Sequence, residues 1–210
     1  MNTTETLIDD LADGLQPRKR LAHPFVRVLP WMFLALAYVA GMVNYLGIRP
    51  DLVAKFQDGA FLFEIGAMAA VSFSAVLASS WLCVPDMRGV KWLVAVPLTM
   101  LGAFLFWCGV RAYTDGFAMP VMHWDHCFND AALMGFVPAA VVIFMSTKGA
   151  TTRPFLMGVM NALSVGALGY VGLRFTCMMD TVGHAGVYHL LPFMAFGMLL
   201  GAGARFVFRW

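Results

Sequence analysis

The chain has 210 residues, of which 60% are hydrophobic and 12% are charged. A soluble domain carries about 25% charged residues, so this composition excludes a chain whose whole surface faces water. The formal net charge of +2, without a long cluster of Lys and Arg, argues against direct binding to nucleic acid. We therefore expect a protein that folds mainly within a lipid bilayer.

Residues 1–22 are predicted to form a cytoplasmic arm with one amphipathic helix. In the segment TTETLIDDLADGL, residues 3–15, the early acidic residues favour a helix start, and Gly14 and Pro17 favour its end. The apolar residues fall on one helical stripe, Leu7, Ile8, Leu11 and Leu15. Because so short a helix is marginal alone in water, the stripe needs a cover, either this protein's own loops or a partner's groove.

Residues 23–210 are predicted to form an all-α bundle of six membrane-spanning helices. The residues before the first apolar block are acidic and polar, so we expect that block to be a retained span and not a signal peptide. Each block approaches the roughly 20 residues that a helix needs to cross a hydrocarbon core. The blocks are about Val28–Ile48, Ala60–Val84, Val90–Val110, Phe128–Ser146, Pro154–Thr176 and Val187–Phe208.

The basic residues predict that both termini lie in the cytoplasm. An even number of spans places the termini on one side, and Lys and Arg concentrate in cytoplasmic loops. The terminal side carries Arg18, Lys19, Arg20, Arg27, Arg88, Lys91, Lys148, Arg153, Arg205 and Arg209. The opposite side carries only Arg49, Lys55, Arg111 and Arg174, so the segments 49–59, 111–127 and 177–186 are expected outside.

Two cysteines are predicted at the outer membrane surface, Cys127 at the start of the fourth block and Cys177 after the fifth. An oxidising outer compartment permits a disulfide between them, and two unrelated packing residues are the alternative. Histidines lie near both cysteines, and imidazole with soft sulfur suits Cu(I) or Zn(II). The candidate metal ligands are His123, His126, Cys127, Cys177 and His184, unless this region is an ordinary polar loop.

Two acidic residues, Glu64 and Asp130, lie inside or near the edge of apolar blocks. An ionisable side chain in lipid is costly, so each is expected to have a partner or a function. Glu64 is expected to be protonated or paired with a polar group of another helix, and Asp130 is close enough to the outer surface to reach water. A role of these acids in signalling or proton handling is the alternative to structural pairing.

Several short segments give the chain a family resemblance over almost its whole length. They are the arm with Pro17, RLAHPFVRVLPW (20–31), GIRPDL (47–52), FEIGAM (63–68), HC (126–127), RPFLMG (153–158), CMMD (177–180) and the terminal RW. In this order and spacing, the chain resembles the NrsF-type anti-sigma factors, which are six-span proteins of the bacterial inner membrane. Related members often carry proline after the second cysteine, where this chain has Met178.

The resemblance implies a regulator rather than an enzyme. It implies that the arm binds an extracytoplasmic-function (ECF) sigma factor on the cytoplasmic face, and that Cys127 and Cys177 sense a stress outside. No cofactor is then required, and an oxidant or a metal such as Cu or Zn is the expected signal. The alternative is a small membrane redox protein that uses haem, quinone or thiol chemistry.

Overall fold

The computed structural model describes residues 4–13, 22–84, 91–116 and 126–208, and within these ranges the protein is helical with no strand. Six helices are long and apolar enough to span a membrane, which confirms the predicted fold class. A short N-terminal helix, α1 (Thr4–Asp13), and a single turn, α3 (Leu52–Lys55), accompany them. The spans are α2 (Pro24–Leu46), α4 (Gly59–Leu82), α5 (Trp92–Thr114), α6 (Cys127–Thr147), α7 (Pro154–Thr176) and α8 (Val182–Val207).

Two spans begin four or five residues earlier than the apolar pattern predicts. Helix α2 begins at Pro24, four residues before the predicted block, because proline is pre-organised for the first helical turn. Helix α8 begins at Val182, five residues early, and the side chain of Thr181 caps it by accepting a hydrogen bond from the backbone nitrogen of His184. His184 therefore belongs to a helix, whereas the sequence placed it in a loop.

Helix α7 lies at the centre of the bundle. It packs against α2, α4, α6 and α8, and 78% of its most apolar window is buried within the protein, compared with 17% for α5. A span that is surrounded by protein meets side chains of other helices instead of lipid. Polar residues of α7 therefore have partners from other helices, which is the usual condition for polar groups at membrane depth.

Glycines of α7 provide space for side chains of neighbouring helices. A Cβ atom added to Gly166 would lie 2.7 Å from Cβ of Phe193, and one added to Gly169 would overlap the Phe193 ring. Only Gly158 permits a close backbone approach, since its added Cβ would lie 3.0 Å from Cα of Gly201. Close backbone approach therefore occurs between Gly158 and Gly201, whereas Gly166 and Gly169 accommodate an aromatic ring.

The two ends of the bundle carry different helix termini. One end, here called the terminal face, brings together the start of α2 and the end of α4, where Ser80 Oγ donates to the carbonyl oxygen of Pro24 at 3.1 Å. The end of α8 lies on the same face, since Ala204 packs in one cluster with Leu82 and Cys83. The opposite end, here called the cysteine face, carries the end of α2, the starts of α4, α6 and α8, and the ends of α5 and α7.

Candidate functional site

Four side chains with metal-binding and redox-active atoms converge at the cysteine face. They come from the first residue of α6, the residue that follows α7, and the first two turns of α8. Their ligand atoms all lie within 4.8 Å of one another. We call this group the Cys–His cluster, and its members are Cys127, Cys177, His184 and His189.

The two cysteines of the cluster are free thiols in direct contact. The thiol of Cys127 donates toward Sγ of Cys177 across 3.7 Å, whereas a disulfide bond requires about 2.05 Å. Sγ of Cys177 also lies 3.4 Å from Nε2 of His184 and accepts a hydrogen bond from the backbone nitrogen of Met179 at 3.4 Å. Cys177 is therefore the centre of the cluster, with a thiol, an imidazole and an amide directed at its sulfur.

These contacts favour the thiolate form of Cys177. The hydrogen bond from Cys127 lowers the pKa of the Cys177 thiol below its ordinary value, against an opposing effect of burial. Interactions with His184, His189 and the Met179 amide lower that pKa further. Because the thiolate is the form that attacks oxidants and binds metals, Cys177 is the more reactive sulfur of the pair on electrostatic grounds.

His189 is fully buried, and neither of its ring nitrogens makes a hydrogen bond of regular geometry among the described residues. Its imidazole interacts with the sulfur of Cys177, and their ligand atoms lie within 4.8 Å of each other. It reaches the cluster because α8 contains a π-helical segment, Ala185–Leu190, in its first turns. Hydrogen bonds between residues five apart bring His184 and His189 toward one side of the helix, with ring centroids 5.1 Å apart. In a regular α-helix residues five apart point in different directions.

A second group of charged residues lies beside the Cys–His cluster. We call it the arginine network, in which basic groups alternate with carboxylates from α4 and from the segments that connect the spans. Its members are Arg49, Asp51, Lys55, Asp58, Glu64, Arg111, Asp115, Arg174 and Asp180. Arg174 is its centre. It contacts Glu64 through Nε and Nη2, both at 2.9 Å, and Asp180 through Nη1 at 3.0 Å.

Asp180 joins the arginine network to the loop that follows Cys177. Arg49 binds both oxygens of Asp180 at 3.0 Å, and Lys55 lies 2.7 Å from one of them. Partial burial raises the pKa of Asp180, but the bonds from Arg49 and Lys55 outweigh it and hold that pKa below its usual range. The segment 177–181 therefore contributes its first residue to the Cys–His cluster and its fourth to the arginine network.

The network pairs every basic residue that the sequence assigns to the outer side. Arg49, Lys55, Arg111 and Arg174 each lie within 4.0 Å of a carboxylate. Glu64, one of the two predicted intramembrane acids, has the partner from another helix that the cost of its burial requires. The other acid, Asp130, is half-buried in the first turn of α6, near the edge of the span.

The structure brings together only some of the predicted metal ligands. Cys127, Cys177 and His184 converge as expected, whereas the exposed His126 is not one of the side chains whose ligand atoms meet. His123 lies outside the described residues. His189, Arg174 and Asp180 are site residues that the sequence did not predict. The motifs CMMD (177–180) and H-x4-H (184–189) nevertheless place sulfur, carboxylate and imidazole groups within 13 residues.

The predicted partner-binding residues lie on an uncovered helix. Leu7, Ile8 and Leu11 of α1 are 53%, 58% and 64% exposed, and Leu15 lies outside the described residues. An apolar stripe with this exposure on a ten-residue helix gains little from burial against its own protein. Among the described residues, therefore, the bundle does not supply the cover that the stripe needs.

Comparison with known proteins gives one family. The profile of the NrsF family, described as negative regulator of sigma F, matches residues 11–210, which include all six spans and the Cys–His cluster. Comparisons with curated proteins and with solved structures give no match. Because the match covers nearly the whole chain, this multi-pass protein belongs to the NrsF family of negative regulators of a sigma factor.

Proposed function

We propose that this protein is an anti-sigma factor of the bacterial inner membrane that holds an ECF sigma factor through α1 on the cytoplasmic face. Membership of a family of negative regulators of sigma F supports the sigma-factor partner. The observation that carries the role of α1 is its exposed apolar stripe of Leu7, Ile8 and Leu11. An amphipathic helix of this kind binds by laying its apolar face in a hydrophobic groove of the partner.

The test is co-purification of the full-length protein, in mild detergent, with its native cytoplasmic partners. The double variant Leu7→Asp with Leu11→Asp places two charges on the stripe, and we expect it to lose the sigma factor that wild type retains. The matched control, Thr6→Asp with Ala12→Asp, adds the same two charges outside the predicted stripe and retains it. Retention by the stripe variant, or loss by the control, contradicts the proposal for α1.

We propose further that Cys127 and Cys177 detect an oxidant or a thiophilic metal from the periplasmic side. An oxidant such as a peroxide accepts two electrons and two protons from the two thiols, which become a disulfide. The sulfurs must then approach from 3.7 Å to about 2.05 Å, which draws the start of α6 toward the segment 177–181. A metal that binds both sulfurs would fix the same two elements without covalent change.

The arginine network supplies a route from the cysteines to the other helices. A movement of Cys177 displaces Asp180, whose oxygens hold Arg49 after α2 and Arg174 at the end of α7. Arg174 in turn holds Glu64 of α4. A shift of release from 1% to 99% requires about 5.5 kcal/mol of differential binding between the two states, and disulfide formation or metal binding acts on that scale.

The alternative function is a small membrane redox protein, and the two clustered histidines do not suit it as the axial ligands of a haem. A haem with two axial histidines needs one on each side of its plane. His184 and His189 lie on one helix with ring centroids 5.1 Å apart, which leaves no room for a macrocycle between them. A visible absorption spectrum of the purified protein distinguishes the functions, since an anti-sigma factor shows no haem bands.

A further inference from the structure

The Cys–His cluster has the dimensions of a four-coordinate metal site. Ligands at tetrahedral angles, with metal–sulfur distances of about 2.3 Å and metal–nitrogen distances of about 2.0 Å, place two sulfurs about 3.8 Å apart and sulfur about 3.5 Å from nitrogen. Sγ of Cys127 and Sγ of Cys177 are 3.7 Å apart, and Nε2 of His184 is 3.4 Å from Cys177. The widest pair of ligand atoms, which includes a nitrogen, lies within 4.8 Å and needs to close by up to about 1.5 Å.

His189 gives a separate indication that the cluster suits a cation. A buried imidazole without a hydrogen bond of regular geometry loses its hydration with little compensation, and such groups are rare in folded proteins. Its interaction with the sulfur of Cys177 belongs to the same cluster. A cation at the centre of the cluster would accept the lone pair of one ring nitrogen and remove part of this cost.

Neighbouring aromatic rings already fix the two imidazoles. His184 lies against the ring of Tyr188 at a centroid distance of 4.8 Å, and His189 lies edge-on to Tyr170 at 5.9 Å. The π-helical segment keeps both histidines toward one side of α8. A site whose ligands are held in place before binding loses little conformational entropy when the ion enters.

The charge of the cluster favours a divalent ion. Two thiolates and two neutral imidazoles carry a charge of −2, and a divalent cation neutralises it at the edge of the hydrocarbon core. A monovalent cation such as Cu(I) would leave one negative charge in a half-buried site, which is costly there. The nearby Arg174 is already paired with Glu64 and Asp180. Tetrahedral coordination by two sulfurs and two nitrogens is typical of Zn²⁺.

We propose that Cys127, Cys177, His184 and His189 form a tetrahedral site for Zn²⁺, with His189 as the fourth ligand. Binding exchanges the two thiol protons for the ion and leaves the oxidation state of sulfur unchanged. Coordination makes both thiolates less nucleophilic toward an oxidant. A disulfide no longer offers anionic sulfur to the ion, so Zn²⁺ and a disulfide exclude each other. The site deepens the proposed sensor, but binding of the ion does not depend on the sigma factor.

The test uses the full-length protein in detergent, reduced and stripped of metal, with Co²⁺ as a spectroscopic probe for Zn²⁺. Wild type is expected to bind one equivalent, with the visible bands of tetrahedral cobalt and the near-ultraviolet band of cobalt–thiolate bonds, both removed by Zn²⁺. His189→Gln and His184→Ala are expected to lose the tetrahedral bands. The control His126→Ala, an exposed histidine of the same face, is expected to keep them.

A second readout follows disulfide formation by diamide in the same samples. Zn²⁺ is expected to slow oxidation of wild type and of His126→Ala, but not of His189→Gln. Each variant is first compared with wild type by circular dichroism and size-exclusion elution, which show whether it folds. If His189→Gln does not fold, His184→Ala takes its place in both measurements. Absence of one-to-one binding by the reduced wild type overturns the proposal, and so do unchanged cobalt bands in a folded His189→Gln protein.

The same preparations separate this site from the anti-sigma role. Co-elution of a sigma factor depends on α1 and is measured without added metal. Failure of cobalt binding with retained co-elution rejects the metal site alone. Failure of co-elution with normal cobalt binding rejects the role of α1 alone.

Discussion

At the scale of residues, Glu64 and Arg174 form a buried ion pair at the cysteine face. Both side chains are more than nine-tenths buried, and they share two contacts of 2.9 Å. A buried pair of this kind gives little net stability over an apolar pair, but removal of one partner leaves a buried charge without compensation. The pair therefore fixes how α4 and α7 are joined at this face.

We predict that Glu64→Gln destabilises the protein by about 3 kcal/mol, the lower end of the range for a broken buried pair, because Asp180 still contacts Arg174. The measurement is the free energy of unfolding in a fixed detergent mixture. Asp115→Asn is the matched control, since it removes an acid of the same network whose ion pair with Arg111 is exposed. Equal stability of the two variants would contradict a structural role for Glu64.

At the scale of elements, the contact between α7 and α8 depends on small residues that face an aromatic ring. Phe193 lies over Gly166 and Gly169 of α7 and follows the π-helical segment of α8 by three residues. The ring therefore fixes the rotation of α8 about its axis. That rotation also determines whether His184 and His189 face the cysteines.

We predict that Gly169→Ala destabilises the protein by about 1–3 kcal/mol, because the added Cβ overlaps the ring of Phe193. Gly109→Ala in α5 is the control. Its added Cβ meets no atom within 4 Å, so the better helix propensity of alanine should stabilise it by about 0.5–1 kcal/mol. Thermal midpoints in detergent give the comparison, and Phe193→Leu should partly rescue Gly169→Ala. Equal midpoints for the two alanine variants would show that the ring adapts without cost.

At the scale of the whole molecule, the proposed sensor lies at the cysteine face, whereas α1 precedes α2, which begins at the terminal face. Helix α7 carries buried polar groups toward both faces, with Arg174 near Cys177 and Asn161 bonded to Ser79 of α4 and Ser146 of α6. A satisfied buried network of this kind makes the helices around it rigid.

We predict that Cys127→Ser and Cys177→Ser each abolish release of the sigma factor after cells are exposed to diamide. Neither variant can form the disulfide, so the segment 177–181 keeps its position. The measurement is the amount of sigma factor that co-purifies with the membrane protein before and after treatment. Cys108→Ser, a half-buried thiol of α5 outside the cluster, is expected to respond like wild type. A normal response of either cluster variant would exclude a disulfide as the trigger.

The sequence by itself determined the features that depend on local chemistry. The number of spans follows from the length of apolar blocks, because a chain in lipid must satisfy its backbone hydrogen bonds within each helix. The stripe of α1 follows from helical spacing, and the position of Cys127 and Cys177 on one face follows from counting spans. The share of basic residues on each side also predicts the orientation of the chain in the membrane.

Only the tertiary structure decided which residues meet. The π-helical segment of α8 brings His189 to the two sulfurs, whereas the predicted ligand His126 is not in the cluster. No apolar pattern in the sequence predicts that local change in helix geometry. Glu64 contacts Arg174 because α4 packs against α7. Asp180, in the segment that follows α7, contacts the same guanidinium group. Contacts between distant residues depend on helix order and rotation, which arise from the packing of the whole bundle rather than from any single segment.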